Sequence, residues 1–300
     1  MDSNLAGDMT SAPLVIVNPV AGPSASRLLE RDRLKLALRR RGLDPTWIET
    51  RVDYHAGQII EDHPGDGPVV VIGGDGTVQP AASRLCGGDR PLLAVPRGSG
   101  NVFARSLGVP LLLDQALALL KRGRVVRVDV GRMAGEVFLL GVGIGLDAHV
   151  IRGADRALKR RVGGLAYVYS AAQNLPVEHY EFEVDIDGRR FRERAAAIHV
   201  ANFGTRAGPF VLPPMADGRD GMLDVVIMRA EGLEETLNLL ASPLMPDPHL
   251  NKAARYERGR RVSVRAGQDL PVQLDGEDRG DHPGLFCEIE PGVLPVVVPG

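Results

Sequence analysis

Apolar positions fall into two regimes along the chain. Up to about residue 125, short uninterrupted apolar runs alternate with helical spacing. Leu14 to Val17 is one such run and stops at Asn18-Pro19, while residues 69–72 and 92–95 are two more. Runs of four consecutive apolar residues are what strands buried on both faces show. After the first run, Ser24 or Ser26 stands where a helix N-cap belongs. Leu34, Ala37 and Leu38 recur on one face, and Gly42 occupies the place of a left-handed C-terminal residue. Strand, loop and helix in repetition predict a parallel sheet covered by helices.

Beyond residue 125 the period drops to two. Val126, Val128 and Val130 alternate with Arg127 and Asp129, residues 181–186 alternate again, and Asp187-Gly188 is a hairpin dipeptide. Further strand candidates lie at 196–200, 223–228, 262–264, 272–274, 286–289 and 296–298, with helical inserts near 158–175 and 233–240. The pattern predicts an α/β domain over residues 1–125 followed by a sandwich-like β domain over 126–290.

Three hundred residues suit about two domains, and a 44% hydrophobic content suffices for two cores. With 36 basic against 38 acidic residues, the chain lacks the basic excess of a nucleic-acid binder, so no such partner is expected. Cys86 and Cys287 form no CxxC pair, which argues against a disulfide framework or a cysteine zinc site. The seven histidines show no HExxH spacing. The longest charge-free runs, 9–26 and 162–177, are broken by Pro, Gly, Asn, Gln and Ser, so no transmembrane segment is expected. The N-terminus has no basic region of the signal-peptide kind, and a cytoplasmic location is the resulting expectation.

The chemistry lies in the strand exits. The second run opens into Gly73, Gly74, Asp75, Gly76 and Thr77, the third into Pro96, Arg97, Gly98, Ser99, Gly100 and Asn101. A loop between a buried parallel strand and a helix presents main-chain N–H groups at the positive end of that helix, and anions bind there. Neither GxxxxGK[ST] nor an early GxGxxG is present. Alone, the pentapeptide reads equally well as a tight turn before an N-capped helix. Two such exits some 20 residues apart should be neighbours at the carboxyl edge of one sheet, where open α/β sheets place their ligands.

Five motifs in order carry a family resemblance: Asn18-Pro19-Val20-Ala21-Gly22; the Gly73 to Thr77 loop; Pro96 through Arg105; Asp217 through Asp224; and Asp275-Gly276-Glu277. With residues 161–167 and 290–299, they make the chain resemble the diacylglycerol kinase catalytic-domain family from about residue 12 onward. That family includes sphingosine and ceramide kinases and soluble bacterial lipid kinases. The resemblance implies a phosphofructokinase-like and NAD-kinase-like α/β domain, a C-terminal β-sandwich, nucleotide in the cleft between them, and a last strand, about 291–300, returning to the first domain.

By match of motif, Asn18, Pro19, Gly22, Thr50, Gly73, Gly74, Asp75, Gly76, Thr77, Ser99, Gly100 and Asn101 would surround ATP. Asp275 and Glu277 would flank the acceptor hydroxyl, one of them taking its proton, and Asp75 would take part in catalysis. Asp217, Asp220 and the Met222 carbonyl would hold Mg2+. Ser99 stands where the family usually has Thr, and Val102 where the diacylglycerol-specific branch often has Asp, so the identity of the lipid stays open. The resemblance also implies a lipid substrate met at a membrane surface by peripheral contact, and it leaves a homodimer open.

Phosphoryl transfer to an alcohol rests on positioning and charge neutralisation, which main-chain amides, Mg2+ and carboxylates can supply without a P-loop lysine. An ordinary carboxylate suffices as proton acceptor. Arg97 and Arg105 are candidate phosphate contacts, with Arg105 placed to order the second loop. The cluster Arg152, Arg156, Lys159, Arg160 and Arg161 reads as a solvated helix face or as an attraction to an anionic bilayer. Two other readings stand beside the lipid kinase: an NAD kinase, whose usual Asn-Glu pair does not occur here, and a nucleotide- or lipid-sensing protein without turnover.

Overall fold

The computed structural model describes residues 11–21, 36, 39, 42, 44–152, 177–204, 213, 215–230, 235 and 253–300. The chain forms two units, Met1–Val128 with Gly292–Gly300, and Asp129–Pro291.

In the first unit the apolar runs become the buried strands β1 (Leu14–Val17), β3 (Val69–Gly73) and β4 (Leu92–Pro96), joined by β2 (Thr46–Glu49). They lie side by side, all parallel, in the order β2-β1-β3-β4, and Val296 pairs in parallel with Leu92 beyond β4. Every side chain of β1 and β3 is buried, as a strand with helices on both faces requires. The run at 46–49 is not among the predicted strands. Its residues are half-buried or exposed, because it is the outermost of the four, and that removes the all-apolar signature.

Described in full among the helices of this unit are α1 (Ala56–Asp62), α2 (Asp75–Leu85), α3 (Val102–Ser106) and α4 (Leu113–Arg122). In α4, Ala116, Leu117, Leu119 and Leu120 turn inward, with Asp114 in the first turn and Lys121 and Arg122 in the last, the polarity a helix dipole favours. Gly42 has φ 74° and donates its N–H to Arg39 O, as its place after a helix predicts. Leu34, Ala37 and Leu38, the caps at Ser24 or Ser26, and the insert at 158–175 lie outside the described residues, and of the insert at 233–240 only Glu235 is described, as helix.

The second unit is antiparallel. Its elements are β5 (Arg124–Met133), which begins in the first unit, β6 (Glu136–Phe138), β7 (Gly141–Gly145), α5 (Leu146–Arg152), β8 (Tyr180–Ile186), β9 (Arg189–Ala195), β10 (Ala197–Ala201), β11 (Leu223–Met228), β12 (Ala254–Gly259), β13 (Arg261–Leu274) and β14 (Glu277–Val298), which ends in the first. Asp187 and Gly188 take φ 51° and 89°, the pair of left-handed residues that a two-residue hairpin between β8 and β9 needs.

The predicted pieces 262–264 and 272–274 are one strand, and so are 286–289 and 296–298. Gly267, Gly280 and the prolines in these stretches do not end the strands. The β13–β14 ladder takes up Gly267, Pro283 and Gly280 in register shifts between Arg265 and Leu270 and between Pro271 and Gln273. β13 thereby serves two layers: Val262 to Ala266 pair with β8, while Val272 to Leu274 pair with β7. The layers β9-β8-β13 and β12-β11-β10-β7-β13 enclose a core that includes Phe138, Ile144, Phe182, Ile198, Ile227, Val264 and Leu274. This second unit is the β-sandwich expected from the alternating pattern. β6, β7 and β12 are not among the predicted strands, and β9 is signalled only by the hairpin dipeptide before it. β7 is Gly-Val-Gly-Ile-Gly, and β9 and β12 carry charges that pair with one another across strands.

Candidate active site

In the first unit, three loops leave the carboxyl ends of β1, β3 and β4, and a set of hydrogen bonds stitches them together. Asn18 Nδ2 donates to Thr77 Oγ1 at 3.0 Å, and Asn18 Oδ1 accepts from Val20 N at 3.0 Å. Arg97 N donates to Gly73 O at 2.9 Å, and Arg97 Nε to Ala21 O at 3.2 Å. The two glycine loops touch main chain to main chain. A Cβ on Gly98 would stand 2.6 Å from Gly74 Cα, so only glycine permits this approach. The prediction that the two exits are neighbours at one sheet edge holds.

Asp75, in the first turn of α2, does not extend into solvent. Its Oδ2 accepts from Val102 N and its Oδ1 from Phe103 N, each at 3.0 Å, so the carboxylate of one glycine loop caps the helix that follows the other. Asn101 has φ 49° and closes the second loop on itself, exchanging bonds with Gly98 N at 2.5 Å and Gly98 O at 2.6 Å. Arg105 Nε donates to Gly100 O at 3.1 Å and orders that loop as expected. Ser99 and Gly76 are exposed at the rim, while Thr77 is buried and Gly100 half-buried. Pro19 stands in the turn after β1, and Thr50 N donates to Val17 O at 2.9 Å, on the adjoining strand. Gly22 lies outside the described residues. The first turn of α2 supplies main-chain N–H groups that its own helix cannot pair. Together these loops bring glycine-rich main chain to one sheet edge without a lysine.

In the second unit, Asp275 and Gly276 form the two-residue turn between β13 and β14, with φ 50° and 83°. The Asp275 carboxylate folds back onto three successive amides: Oδ2 accepts from Leu139 N at 2.8 Å, and Oδ1 from Leu140 N at 2.8 Å and Gly141 N at 3.0 Å. A carboxylate offers about four lone-pair positions, so these bonds hold Asp275 in one orientation and leave little further accepting capacity. Glu277 is open by contrast. Its side chain is 61% exposed and meets Arg279 at 3.2 Å.

Asp217, Asp220 and Met222 share one loop. Asp129, 3% exposed, anchors it by donating from its N to Gly218 O at 2.8 Å and accepting at Oδ2 from Gly221 N at 2.7 Å. Spacing alone did not point to Asp129, which sits some 90 residues upstream. The oxygen donors of the loop have the hard character Mg2+ takes. Their arrangement does not suit a resident cation, however. Asp220 Oδ1 accepts from Met222 N, its other oxygen pairs with Arg258, and Asp217 pairs with Arg219 at 3.2 Å. Among the described residues no three His, Cys, Asp or Glu converge on a metal position. Two arginines balance the charge of the loop.

Two family descriptions match consecutive parts of the chain. The diacylglycerol kinase catalytic domain matches residues 12–133, and the YegS C-terminal NAD kinase beta sandwich-like domain matches 141–298. The chain belongs to the diacylglycerol kinase catalytic-domain family of lipid kinases. Within that family it is 31% identical over 263 residues to a Pseudomonas fluorescens protein named "Probable lipid kinase YegS-like", covering 84% of this chain and 86% of that one. It is 29% identical over 226 residues to the diacylglycerol kinase of Bacillus subtilis, covering 74% of each. An uncharacterized Synechocystis protein is 29% identical over 287 residues, 90% of this chain and 66% of that one. The fold matches a crystal structure of a diacylglycerol kinase from Bacillus anthracis with a TM-score of 0.79 at 24% identity, over 96% of each chain. Among the described residues no helix is long and apolar enough to cross a membrane.

Proposed function

We propose that the protein transfers the γ-phosphoryl group of MgATP to a hydroxyl of a diacylglycerol-like lipid. The observation that carries this reading is the stitched pair of glycine loops at the head of α2, which offers main-chain donors to a polyphosphate. Asn18, Pro19, Thr50, Gly73 to Thr77 and residues 99–101 hold the nucleotide in this reading, and Gly22 joins them by its motif alone. Mg2+ arrives with the nucleotide and offsets charge on the phosphates.

The acceptor oxygen forms its bond to the γ-phosphorus as the bond from that phosphorus to the β–γ bridging oxygen breaks, and ADP leaves. The lipid hydroxyl's proton passes to the Asp275–Glu277 pair. Asp275, held by three amides, fixes the turn, and Glu277 keeps free oxygen lone pairs. The lipid is met at a bilayer surface by peripheral contact, from a cytoplasmic location.

The test is γ-phosphoryl transfer from labelled MgATP to a panel of diacylglycerol, monoacylglycerol, sphingosine, ceramide and phosphatidylglycerol, with NAD alongside. Labelled phosphatidic acid is the expected product. NADP formation in place of any lipid product would establish the NAD kinase alternative, and no product at all would sink both.

A further inference from the structure

The Asp275-Gly276 turn is gripped from both sides by one short helix, α5. Three neighbouring strands place His199 on β10, Gly143 on β7 and Gln273 on β13 in a row across the sheet. The central glycine leaves a gap, and Asp147 of α5 fills it. A Cβ on Gly143 would stand 1.6 Å from Asp147 Oδ2, so no other residue leaves room for that carboxylate. Asp147 Oδ2 meets His199 Nδ1 at 3.0 Å and accepts from Gln273 Nε2 at 3.2 Å. Gln273 then reaches the turn itself: its Oε1 accepts from Gly276 N at 2.9 Å.

This chain of contacts is inside the protein, with Gln273 1% and His199 3% exposed. His199 Nε2 has no hydrogen-bond partner among the described residues, so the ring is held through Asp147. At the far end of α5, Arg152 grips the strand that leaves the turn. Its Nε and a terminal nitrogen donate to both oxygens of Asp278 at 3.0 Å, and the other terminal nitrogen donates to Asp281 at 2.7 Å. The paired Arg152 holds the Asp278 carboxyl below the usual carboxylate range.

We infer that α5 is the positioning element for the Asp275–Glu277 turn, Asp147 acting through Gln273 on the incoming strand and Arg152 acting through Asp278 on the outgoing one. The inference rests on the proposed function for the value of that turn. Asp147, Gln273 and Arg152 touch no reacting atom in this scheme and are positioning residues. A fixed turn matters because small displacements of reacting groups cost orders of magnitude in rate.

Arg152→Gln, Arg152→Lys and Gln273→Met provide the test. Each is measured by melting temperature, by hydrogen exchange of the segment 274–282, and by kcat and KM with MgATP and dioctanoylglycerol in mixed micelles. Arg152 is a surface residue, and exposed ion pairs add little stability, so Arg152→Gln folds and melts within a few degrees of the parent. Exchange in 274–282 is expected to quicken about fivefold or more and kcat to fall about tenfold, with KM for MgATP within about twofold. Arg152→Lys keeps the charge, loses the two-pronged grip and falls between the two.

Parent-like exchange and kcat in both Arg152→Gln and Gln273→Met would overturn the inference. Asp275→Asn and Glu277→Gln separate the two layers of argument. If both keep the full rate, the role of the turn fails while exchange still judges the grip of α5. If both lose the rate but Arg152→Gln and Gln273→Met do not, the grip alone fails.

Discussion

At the scale of single residues, Asp75 and Asp275 behave alike: each spends its carboxylate on main-chain amides. Asn in place of Asp75 keeps one acceptor and turns the other into a donor that faces an N–H. Asp75→Asn should therefore cost about 1 kcal/mol of stability, the value of a helix cap, and abolish turnover, as chemical denaturation and phosphoryl-transfer assay would measure. Full turnover in that variant would remove Asp75 from the chemistry. The two members of the second carboxylate pair should separate by the same reasoning. Asp275→Asn is expected to lower both the melting temperature and the rate, because three buried amides lose an acceptor arrangement. Glu277→Gln, at an exposed position, is expected to lower the rate with the melting temperature unchanged.

At the scale of elements, the first unit was legible because its strands are buried on both faces. Leu14–Val17, Val69–Gly73 and Leu92–Pro96 are apolar at every position or close by a glycine or proline. The charged strands β9 and β12 were not legible, since their stabilisation comes from partners distant in sequence. Arg255 meets both Glu193 and Glu257, and Arg229 meets Glu193. Burial alone would raise the Glu193 carboxyl, but hydrogen bonds from Arg229 and Arg255 more than offset it and hold it below its ordinary value. A group lowered in this way stabilises the fold above its unfolded pKa of about 4.3, and that contribution is lost as pH falls through the folded value. The melting temperature should accordingly drop as pH falls below about 4, and less so in Glu193→Gln, which scanning calorimetry over pH 3 to 6 would read. An equal pH dependence in the variant would show that Glu193 contributes none of it.

At the scale of the whole molecule, the chain crosses between its units at 128–129 and again at 291–292, and each unit carries its own share of the proposed chemistry. MgATP binding to the native state should raise the melting temperature, by about 2.7 kcal/mol of stability at a hundredfold excess over Kd. Gly98→Ala should weaken that response, because its Cβ would force Gly74 away. A parent-like shift in Gly98→Ala would contradict the proposed nucleotide site. The basic positions 156, 159, 160 and 161 lie outside the described residues, and the surface attraction read from them is a proposal. The sequence by itself determined the two-domain order, the parallel sheet, the glycine loops and the carboxylate motifs, because backbone geometry and burial impose local periods and local residue types. Only the tertiary structure decided what those carboxylates hold and that Asp129, Asp147, His199 and Gln273 stand behind them. Contacts between residues 50 to 130 positions apart leave no period along the chain, and they exist only once sheet register sets the strands side by side.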